Sequence, residues 1–437
     1  MRSLQMDWTK GTNACSYREQ ARQRRKPQFM TLKRNDVPAR SSQCNGRPDH
    51  AVALLRMQGE HDVLPHYGLD RRPETAGLRV AVVGCGYWGS KHVRVLSATP
   101  GVAGITLIEQ DLALARSLQV RFPTTTICTS LNEALPYVDA VVIATPPESH
   151  GELALAALRA RKPVLVEKPL TTSLDEARLL VAEARRSGAL LMVGHTFQFN
   201  PAVRELRRRL QAGELGEIYY IHSARLNLGL YRPDVNVIWD LAPHDISILN
   251  FLLDAVPRSV DAWGASLAFG GIEDMAYVKL QYDDPKVTGY VHLSWLDPRK
   301  TRTVTIVGSR KMAVYDDMAE EPLRIFDRSV HGHEGSPPSH ERPAMYRYGD
   351  IVAPYIRPDE PLALQDRHFI DSIRQNRVPE ASGEQALGII AALEAIDRSM
   401  RNRGQVTVPS LAELEPRRDM RPPVGDRHAE ASSTEMR

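Results

Sequence analysis

The sequence predicts an α/β protein in which a doubly wound parallel sheet is followed by a second α+β domain built on a mainly antiparallel open sheet. From residue 78 to about residue 198, apolar strand-like runs alternate regularly with helical segments. This alternation is typical of a parallel sheet covered by helices on both faces. After residue 198, alternating strand-like segments succeed one another with few helices between them, which favours antiparallel or mixed pairing.

The first domain is expected over residues 76–198. Its first strand, LRVAVVG, is a continuous apolar run that ends in glycine, as strands buried on both faces do. Further strands are predicted at ITLIE, TTICT, DAVVIATPP, PVLVEKP and ALLMVG. Ser173 and Gly188 are expected to cap the two ends of the helix SLDEARLLVAEARRSG.

The second domain is expected over residues 199–405. It begins with the helix PAVRELRRRLQAG and contains one further helix, HDISILNFLLD, among its strands. The predicted strands are IYYIHSARL, SVDAWGASLAF, MAYVKLQY, VTGYVHLSWL, RTVTIVGS, KMAVYDD and LRIFD. Two terminal helices, LALQDRHFIDSIRQ and GEQALGIIAALEAIDRSM, are candidates for packing back onto the first domain.

Both ends of the chain are predicted to be poorly ordered. Residues 1–75 contain 14 Lys and Arg against 8 Asp and Glu, a net charge of +6. Because the whole chain carries only +3, the rest carries −3, which argues against a nucleic-acid partner for the body of the protein. The alternative for this extension is an arm that pairs with another subunit or binds an anionic surface. Residues 406–437 are charged and rich in Pro and Ser, as mobile tails are.

Several classes of protein are not expected. The chain has no run of about 18 apolar residues, so no membrane insertion is predicted, and its first residues lack the apolar core of a secretory signal. The cysteines form no CxxC pair or zinc-like cluster, and they are Cys15, Cys44, Cys85 and Cys128. We therefore predict no metal site and a reducing, cytoplasmic location.

A glycine-rich loop of the form GxGxxG directly follows the first strand and opens a helix. Gly84 would permit the tight turn, Gly86 a close approach of the backbone to a pyrophosphate, and Gly89 close packing of the helix. The free N–H groups of the helix N-terminus would then face the anion. The loop supplies the candidate cofactor contacts Gly84, Gly86, Tyr87, Trp88 and Gly89. This context predicts a Rossmann domain.

An acidic residue follows the second predicted strand. Glu109 lies 20 residues after Gly89, where a carboxylate accepts hydrogen bonds from the adenosine ribose. A 2′-phosphate would meet a like charge there, so NAD is expected in preference to NADP. Asp111 is a competing ribose acid, and the alternative to both is a structural turn with a solvated glutamate.

Polar residues also follow the later strands, at the edge where doubly wound sheets bind their ligands. The further candidate cofactor contacts are Thr145, Pro146, Pro147, His150, Glu167, Lys168 and His195. Pro169 disfavours a helical backbone at Lys168, so an extended Lys168 can direct its ammonium over the cofactor. The alternative is a solvated surface lysine.

Asp240 and His244 form a second constellation, four residues apart before an apolar segment. Pro243 suits the first turn of a helix, which would place His244 near a helix N-terminus. The helix dipole there favours the neutral imidazole, which can accept a proton from a hydroxyl as a hydride leaves. Asp240 would orient this imidazole or bind substrate. The alternative is a capping Asp240 with a packed histidine.

These segments together resemble the Gfo/Idh/MocA oxidoreductase family. The resemblance rests on VVGCGYWGSKHVRVL, VVIATPPESHGELALAAL, VLVEKPLTTSLDEA, MVGHTFQFNPAV and WDLAPHDISIL, and it extends roughly from residue 78 to residue 401. It implies that Lys168, Asp240 and His244 form the catalytic centre. The family often has an aspartate three residues after the histidine, whereas this chain has Ser247 there and Asp245 nearby.

Other segments, such as GELGEIYYIHSARLNLG and HLSWLDPRKTRTVTIVGSRKMAVYDD, resemble the branch with UDP-N-acetylglucosamine and UDP-N-acetylglucosaminuronate 3-dehydrogenases. The resemblance implies oxidation of a secondary hydroxyl, at C3, of a nucleotide sugar in cell-surface polysaccharide biosynthesis. The candidate substrate contacts are His244 together with Arg225, Asn227, Asn236 and Trp239. The last four could equally be parts of the sheet and its loops.

Other functions remain open at this stage. The same site could serve a keto-sugar reductase or a free polyol dehydrogenase acting on an inositol-like substrate. A non-catalytic NAD-binding sensor or interaction protein is the alternative outside the enzymes. We also expect a homo-oligomer, a dimer or tetramer, formed through the sheet of the second domain.

Overall fold

The structure is a computed structural model that describes residues 77–229, 231, 235–268, 270–283, 285–331 and 344–414. The basic extension expected over residues 1–75 lies outside these described residues. Among the described helices, none is long and apolar enough to cross a membrane.

The first sheet is parallel and has the strand order β3-β2-β1-β4-β5-β6 in the described part of the chain. Its strands are β1 (Leu78–Val83), β2 (Val102–Ile108), β3 (Thr126–Cys128), β4 (Ala140–Ile143), β5 (Val164–Glu167) and β6 (Leu191–Gly194). The helices between them are α1 (Tyr87–Ser97), α2 (Leu112–Arg121), α3 (Leu131–Ala134), α4 (His150–Arg159) and α5 (Leu174–Ser187). This arrangement confirms the predicted Rossmann-type parallel sheet.

The first strand is apolar throughout because helices cover both of its faces. Val80 and Val82 belong to one core cluster, whereas Ala81 and Val83 belong to the other. Successive side chains of a strand point to opposite faces, so a strand covered on both faces must be apolar at every position. Helix α5 ends as predicted at Gly188, which adopts a left-handed conformation with φ +70°.

The second sheet runs β14-β13-β12-β11-β7-β10-β9-β8-β15 within the described residues. Its strands are β7 (Ile218–Leu228), β8 (Ser259–Ala265), β9 (Met275–Gln281), β10 (Thr288–Ser294), β11 (Leu296–Gly308), β12 (Met312–Asp316), β13 (Leu323–His331), β14 (Met345–Val352) and β15 (Val406–Thr407). The pair β7–β10 is parallel and the other neighbours are antiparallel. The predicted mainly antiparallel sheet is therefore confirmed.

Two strands of this sheet escaped prediction for different reasons. All eight residues of β14 are exposed, so the strand has no buried face and shows no alternation of apolar and polar residues. Strand β15 has only two residues, and it forms by pairing with β8. The mobile tail expected over residues 406–437 must be corrected at its start, since Leu414 is also buried. Residues 415–437 lie outside the described part.

The helices of the second half are α6 (Pro201–Gln211), α7 (Val237–Leu253), α8 (Pro361–Gln375), α9 (Gly383–Asn402) and α10 (Leu411–Leu414). Helix α8 packs against α1, and its Phe369 and Ile370 are buried in the cluster that contains Val80 and Val82. Helix α9 packs against both β8 and α5. The C-terminal helices therefore contact elements of both sheets.

The prediction that Pro243 lies in the first turn of its helix is wrong. Helix α7 begins six residues earlier, at Val237, and Pro243 lies in its interior. Asn236 caps this helix, because its side-chain oxygen accepts a hydrogen bond from the backbone N–H of Trp239 at 3.1 Å. Val237 and Ile238 are fully buried, and their burial helps to explain why the extra turn forms despite the proline.

The glycine-rich loop generates a prediction about stability. Gly84 has φ +85°, and a Cβ placed on Gly89 would overlap the carbonyl oxygen of Gly84. Gly89→Ala should therefore lower the free energy of unfolding by about 1–3 kcal/mol or more, the cost of adding a side-chain atom to a fully packed site. Chemical denaturation measures this change.

Gly86→Ala is the matched control within the same loop. A Cβ on Gly86 would have no heavy atom within 4 Å, and the residue has φ −66°. Its stability should stay within about 0.5 kcal/mol of wild type. Equal stabilities for the two variants would refute the packing role of Gly89.

Candidate active site

The glycine-rich loop leaves the N-terminus of α1 open. Gly86 is the N-cap residue, and it provides no side-chain hydrogen bond to the first turn of α1. Tyr87 and Trp88 are exposed, with their rings edge to face and their centroids 5.5 Å apart. Backbone N–H groups at such an open helix N-terminus are suited to bind an anion.

Glu109 reaches this loop from the end of β2. Its carboxylate accepts hydrogen bonds from the backbone N–H groups of Cys85 at 2.8 Å and Asp111 at 3.1 Å. Asp111 instead caps α2 and accepts bonds from the N–H groups of Ala113 and Leu114. Of the two acidic residues considered for the ribose, only Glu109 therefore contacts the glycine-rich loop.

His150 ties the ends of β4 and β5 together. It is buried, and its two ring nitrogens lie 2.8 Å from the carbonyl oxygen of Pro169 and 2.9 Å from that of Thr145. Burial lowers the pKa of His150, although these carbonyl contacts oppose the shift. The neutral ring can donate to only one of these carbonyl oxygens, but it packs between the two strand ends, one of which leads into the candidate contacts Thr145, Pro146 and Pro147.

A buried histidine lies between two carboxylates beneath this edge of the sheet. Nδ1 of His92 contacts the carboxylate oxygens of Asp366 at 2.9 and 3.1 Å, and Nε2 lies 3.0 Å from Oε1 of Glu167. Burial alone would lower the pKa of His92, but the charges and hydrogen bonds of Asp366 and Glu167 outweigh it and raise that pKa to about 10. The ring is therefore a cation at neutral pH.

Lys168 follows Glu167 at the end of β5, and its peptide bond to Pro169 is cis. Its ammonium donates a hydrogen bond to the backbone carbonyl of Asp240 at 3.0 Å and lies 3.9 Å from that residue's Oδ1. The indole Nε1 of Trp295 donates to Oδ2 of Asp240 at 3.2 Å. The structure therefore brings together Lys168, which follows β5 of the parallel sheet, and Asp240, which lies in α7 of the second half of the chain.

Two neutral histidines lie near this ion pair. His195 is buried, and neither of its ring nitrogens has a hydrogen-bond partner among the described residues. Burial lowers the pKa of His195 to about 4; the charge of Glu167 opposes this shift and the charge of Lys168 adds to it. His244 is partly exposed, and burial of its ring lowers its pKa well below the usual value, with Lys168 and then Arg225 adding to the shift.

His244 projects from the middle of α7, not from the first turn that the sequence suggested. Its ring contacts Phe197 edge to face at a centroid distance of 5.2 Å, and its buried Nδ1 lacks a hydrogen-bond partner in the described part of the structure. Burial and nearby cations, rather than a helix N-terminus, therefore keep this imidazole neutral. Ser247 donates its hydroxyl hydrogen bond to the carbonyl of His244 at 2.8 Å.

The candidate substrate contacts are engaged in other interactions. Arg225 forms a buried ion pair with Asp245, with 2.6 Å between Nε and Oδ2, and its guanidinium lies 4.6 Å from the centre of the Phe197 ring. Asp245 also accepts a hydrogen bond from the hydroxyl of Ser223. Asp245 is thus bound by Arg225 and Ser223 inside the protein. It does not take the place of the aspartate that the family often has at position 247, where this chain has Ser247.

The other three candidates lie near the two ends of the β7–α7 connection. Asn236 caps α7 and donates to Glu273 at 3.2 Å. Trp239 donates its indole hydrogen bond to Asp397 at 2.8 Å. Asn227 packs against the backbone of Gly229, where a Cβ would lie 2.9 Å from its amide nitrogen. These contacts favour structural roles for all three.

His92, Asp366 and Trp295 also lie at the site, and the sequence did not single them out. His92 and Asp366 are 274 residues apart, and each lies on the buried face of its helix. A titratable residue on an apolar helix face is a signal that could have singled out each of them, though not their pairing. No group of three or more residues suited to hold a metal ion occurs among the described residues.

Comparison with known families matches both halves of the chain. The family model described as "Oxidoreductase family, NAD-binding Rossmann fold" (GFO/IDH/MocA) matches residues 78–195. The model of the GFO/IDH/MocA C-terminal domain matches residues 203–314. The two matches together span more than half of the chain.

Individual relatives include dehydrogenases of several substrates. The chain is 26% identical over 345 residues to a 4-carboxy-2-hydroxymuconate-6-semialdehyde dehydrogenase from Sphingobium sp., an alignment that covers 75% of this chain and 100% of that enzyme. It is 34% identical to an inositol 2-dehydrogenase from Rhodococcus erythropolis, over 45% of this chain and 60% of that enzyme.

A solved structure of similar fold is the UDP-N-acetylglucosamine 3-dehydrogenase from Acidithiobacillus ferrooxidans. The two chains share 25% sequence identity with a TM-score of 0.61. The superposition covers 78% of this chain and 100% of that chain. The likeness thus includes both sheets.

Proposed function

Because the chain belongs to the GFO/IDH/MocA family of NAD-binding oxidoreductases, we propose that it oxidises a secondary hydroxyl, at C3, of a nucleotide sugar such as UDP-N-acetylglucosamine or its uronate. One observation carries the assignment of the reacting centre. The ammonium of Lys168 contacts Asp240 beside two neutral imidazoles, at the carboxyl edge of the parallel sheet. A cation and a neutral base are what the loss of a hydride and a proton from an alcohol requires.

The glycine-rich loop fits the cofactor. Gly86 leaves open space where a side chain would project, and the first turn of α1 has no side-chain cap. We assign the pyrophosphate of NAD to this turn and the adenosine ribose hydroxyls to Glu109. Tyr87 and Trp88 are placed to flank the cofactor. When bound, NAD accepts the hydride that the substrate carbon loses.

Side chains of this protein accept the hydroxyl proton and stabilise the negative charge that develops on the substrate oxygen. We assign the hydroxyl proton to His244, because its imidazole is neutral and because His244, unlike His195, is partly exposed. Lys168 stabilises the oxygen that becomes negative, and Asp240 holds the ammonium in place. The substrate carbon thereby loses a hydride and its oxygen a proton, which gives a ketone and a protonated His244 that releases its proton to solvent.

The nucleotide-sugar assignment rests on likeness. The segments that resemble nucleotide-sugar dehydrogenases and the similar structure from Acidithiobacillus ferrooxidans support it. The 34% identity to an inositol 2-dehydrogenase favours a second candidate, oxidation of a free polyol. A keto-sugar reductase is the same site working in the reverse direction. The sugar proposal places the enzyme in cell-surface polysaccharide biosynthesis.

The experiment that tests the proposed substrate uses the purified full chain with NAD. UDP-N-acetylglucosamine, its uronate and myo-inositol are supplied separately, and NADH absorbance and product mass are followed. Oxidation of a nucleotide sugar with loss of two hydrogen atoms from the sugar supports the proposal. Turnover of inositol alone would replace it with the polyol dehydrogenase.

Variants of the reacting centre test the assigned roles. His244→Ala should lower turnover by about 10²–10⁴-fold, as loss of a general base does, while NAD affinity stays close to wild type. Lys168→Ala should also lower turnover and weaken substrate binding. Arg159→Ala, which alters an exposed residue at the end of α4, is the control and should be unchanged. A His244→Ala enzyme with wild-type single-turnover rates would show that the proton acceptor lies elsewhere.

The assignment of Glu109 predicts cofactor selectivity. Glu109→Ala should weaken NAD binding more than NADP binding, since it removes both the ribose acceptor and the charge that repels a 2′-phosphate. Glu109→Gln is the matched variant, because its single amide oxygen can still accept from Cys85 while the charge and the second acceptor oxygen are lost. Calorimetric titration compares the two cofactors. An equal loss of affinity for both would exclude Glu109 as the discriminator.

We also propose that the chain forms a homo-oligomer through the exposed face of its second sheet. Trp263, Tyr277 and His292 lie side by side on β8, β9 and β10, and the rings of Tyr277 and His292 stack at 4.1 Å. Tyr220 and Tyr290 extend this face, with centroids 6.5 Å apart. A contiguous exposed aromatic surface of this kind is typical of a protein interface.

A charge on this face should dissociate the assembly. Trp263→Glu is expected to convert a dimer or tetramer into a smaller species in sedimentation velocity, because it buries an unpaired carboxylate. Tyr137→Glu, which alters an exposed residue of the first half, should leave the mass unchanged. A monomeric wild-type chain would refute the proposed interface.

A further inference from the structure

The buried cluster of His92, Glu167 and Asp366 joins three elements that surround the site. His92 lies on α1, directly behind the glycine-rich loop, Glu167 ends β5, and Asp366 belongs to α8. The side chain of Glu167 is almost fully buried, and those of His92 and Asp366 are completely so. No step of the proposed reaction uses this cluster.

Glu167 is held on several sides. Oε1 lies 3.0 Å from Nε2 of His92, and Oε2 accepts the backbone hydrogen bond of Lys168 at 3.1 Å. A Cβ on Gly194 would lie 3.2 Å from its carboxylate, so the strand end that leads into His195 also packs against it. One carboxylate thus connects the imidazole of His92 to the backbone of Lys168.

We propose that His92 is a positioning residue for the hydride-transfer step, which acts by fixing the Glu167 carboxylate and, through it, the direction in which Lys168 leaves β5. The inference rests on the proposed role of Lys168 at the reacting oxygen. His92 itself is too deeply buried to touch substrate. It acts through two hydrogen bonds in series, from its ring to Glu167 and from the Lys168 backbone to the same carboxylate.

A purely structural role would not need the bond to Glu167. Helices α1 and α8 are already joined by the contact of His92 with Asp366 and by an ion pair between Arg94 and Glu360 at the surface. Phe369 of α8 is fully buried in the same core cluster as Val93 of α1. The second ring nitrogen of His92 instead reaches β5, whose next residue carries the ammonium.

The positive charge of His92 makes the position of Lys168 depend more strongly on this residue. Without a cation at position 92, the buried carboxylates of Glu167 and Asp366 would both lose their charged partner, and a buried ion that loses its partner is strongly unfavourable. Lys168, the adjacent residue along the chain, supplies an ammonium that could respond. We therefore expect its side chain to shift from Asp240 toward Glu167, away from the reacting oxygen.

His92→Gln tests this inference through two readouts. Turnover of the substrate found above should fall about 10–100-fold, as misplacement of a reacting group by about 1 Å can cause, while the Kd for NAD changes less than about twofold. Acetic anhydride labelling of Lys168 at several pH values, read by peptide mass spectrometry, requires no substrate. Its midpoint should move to higher pH, because an uncompensated carboxylate then favours the charged ammonium.

Two further variants separate positioning from folding. His92→Gln combined with Glu167→Gln removes the charges at positions 92 and 167 and leaves the carboxylate of Asp366 in the cluster. Turnover should be at least about fivefold higher than in His92→Gln, since an uncharged side chain at position 167 no longer attracts Lys168. Arg94→Gln breaks the surface ion pair between the same two helices and should leave turnover and Lys168 labelling at wild-type values.

The outcomes are decisive in both directions. Unchanged turnover and labelling in His92→Gln would overturn the inference, as would a parallel loss of NAD affinity and turnover without recovery in the double variant. If His92→Gln does not fold, Asp366→Asn replaces it. That variant weakens the hold on the imidazole, so it should lower turnover and leave NAD affinity intact, and wild-type turnover would overturn the inference. A wild-type rate in Lys168→Ala would instead refute the proposed function, whereas the labelling result would still report on His92.

Discussion

The buried contact of one imidazole with two carboxylates is the constraint on which the arrangement of the site depends. Removing charged groups from water is unfavourable by several kcal/mol for each ion unless they are paired. His92, Glu167 and Asp366 meet this requirement only when α1, β5 and α8 come together. Residues that are 75 and 274 positions from His92 in the chain must therefore close on it as the protein folds, which couples the glycine-rich loop, the Lys168 strand end and a C-terminal helix.

This coupling explains why the reacting groups come from such different places. In a parallel sheet the carboxyl ends of the strands meet at one edge, so Lys168 and His195 leave β5 and β6 side by side. His150 pins the ends of β4 and β5 through two carbonyl contacts. Helix α7, which belongs to the other half of the chain, then adds Asp240 and His244. Backbone pairing between β4, β5 and β6 forms this edge, and a packed helix presents the partner residues to it.

Local physical rules account for most of what the sequence could predict. Buried strands must be apolar at every position, and the glycine-rich loop has steric requirements that only glycine meets at Gly84 and Gly89, so both were recognisable. The fold of α7 was misjudged because Pro243 resembles a helix start, whereas Asn236 and two buried residues began the helix earlier. Arg225 resembled a substrate contact because its partner Asp245, 20 residues away, could not be identified. His92 could have been noticed as a titratable residue on a buried helix face, but its pairing with Asp366, 274 residues away, leaves no local trace.

Three histidines around the site show how environment, not residue type, assigns function. His92 faces two carboxylates, which raise its pKa to about 10. Its ring therefore stays protonated at neutral pH, so it can bind these carboxylates but cannot accept a proton. Burial lowers the pKa of His195 and of His244, and the charge of Lys168 adds to both shifts. Each is neutral at physiological pH and has at least one ring nitrogen without a partner among the described residues. An imidazole must be unprotonated before it can accept a proton. The ammonium of Lys168 helps to keep these two rings neutral, and it is also the cation that a developing alkoxide requires.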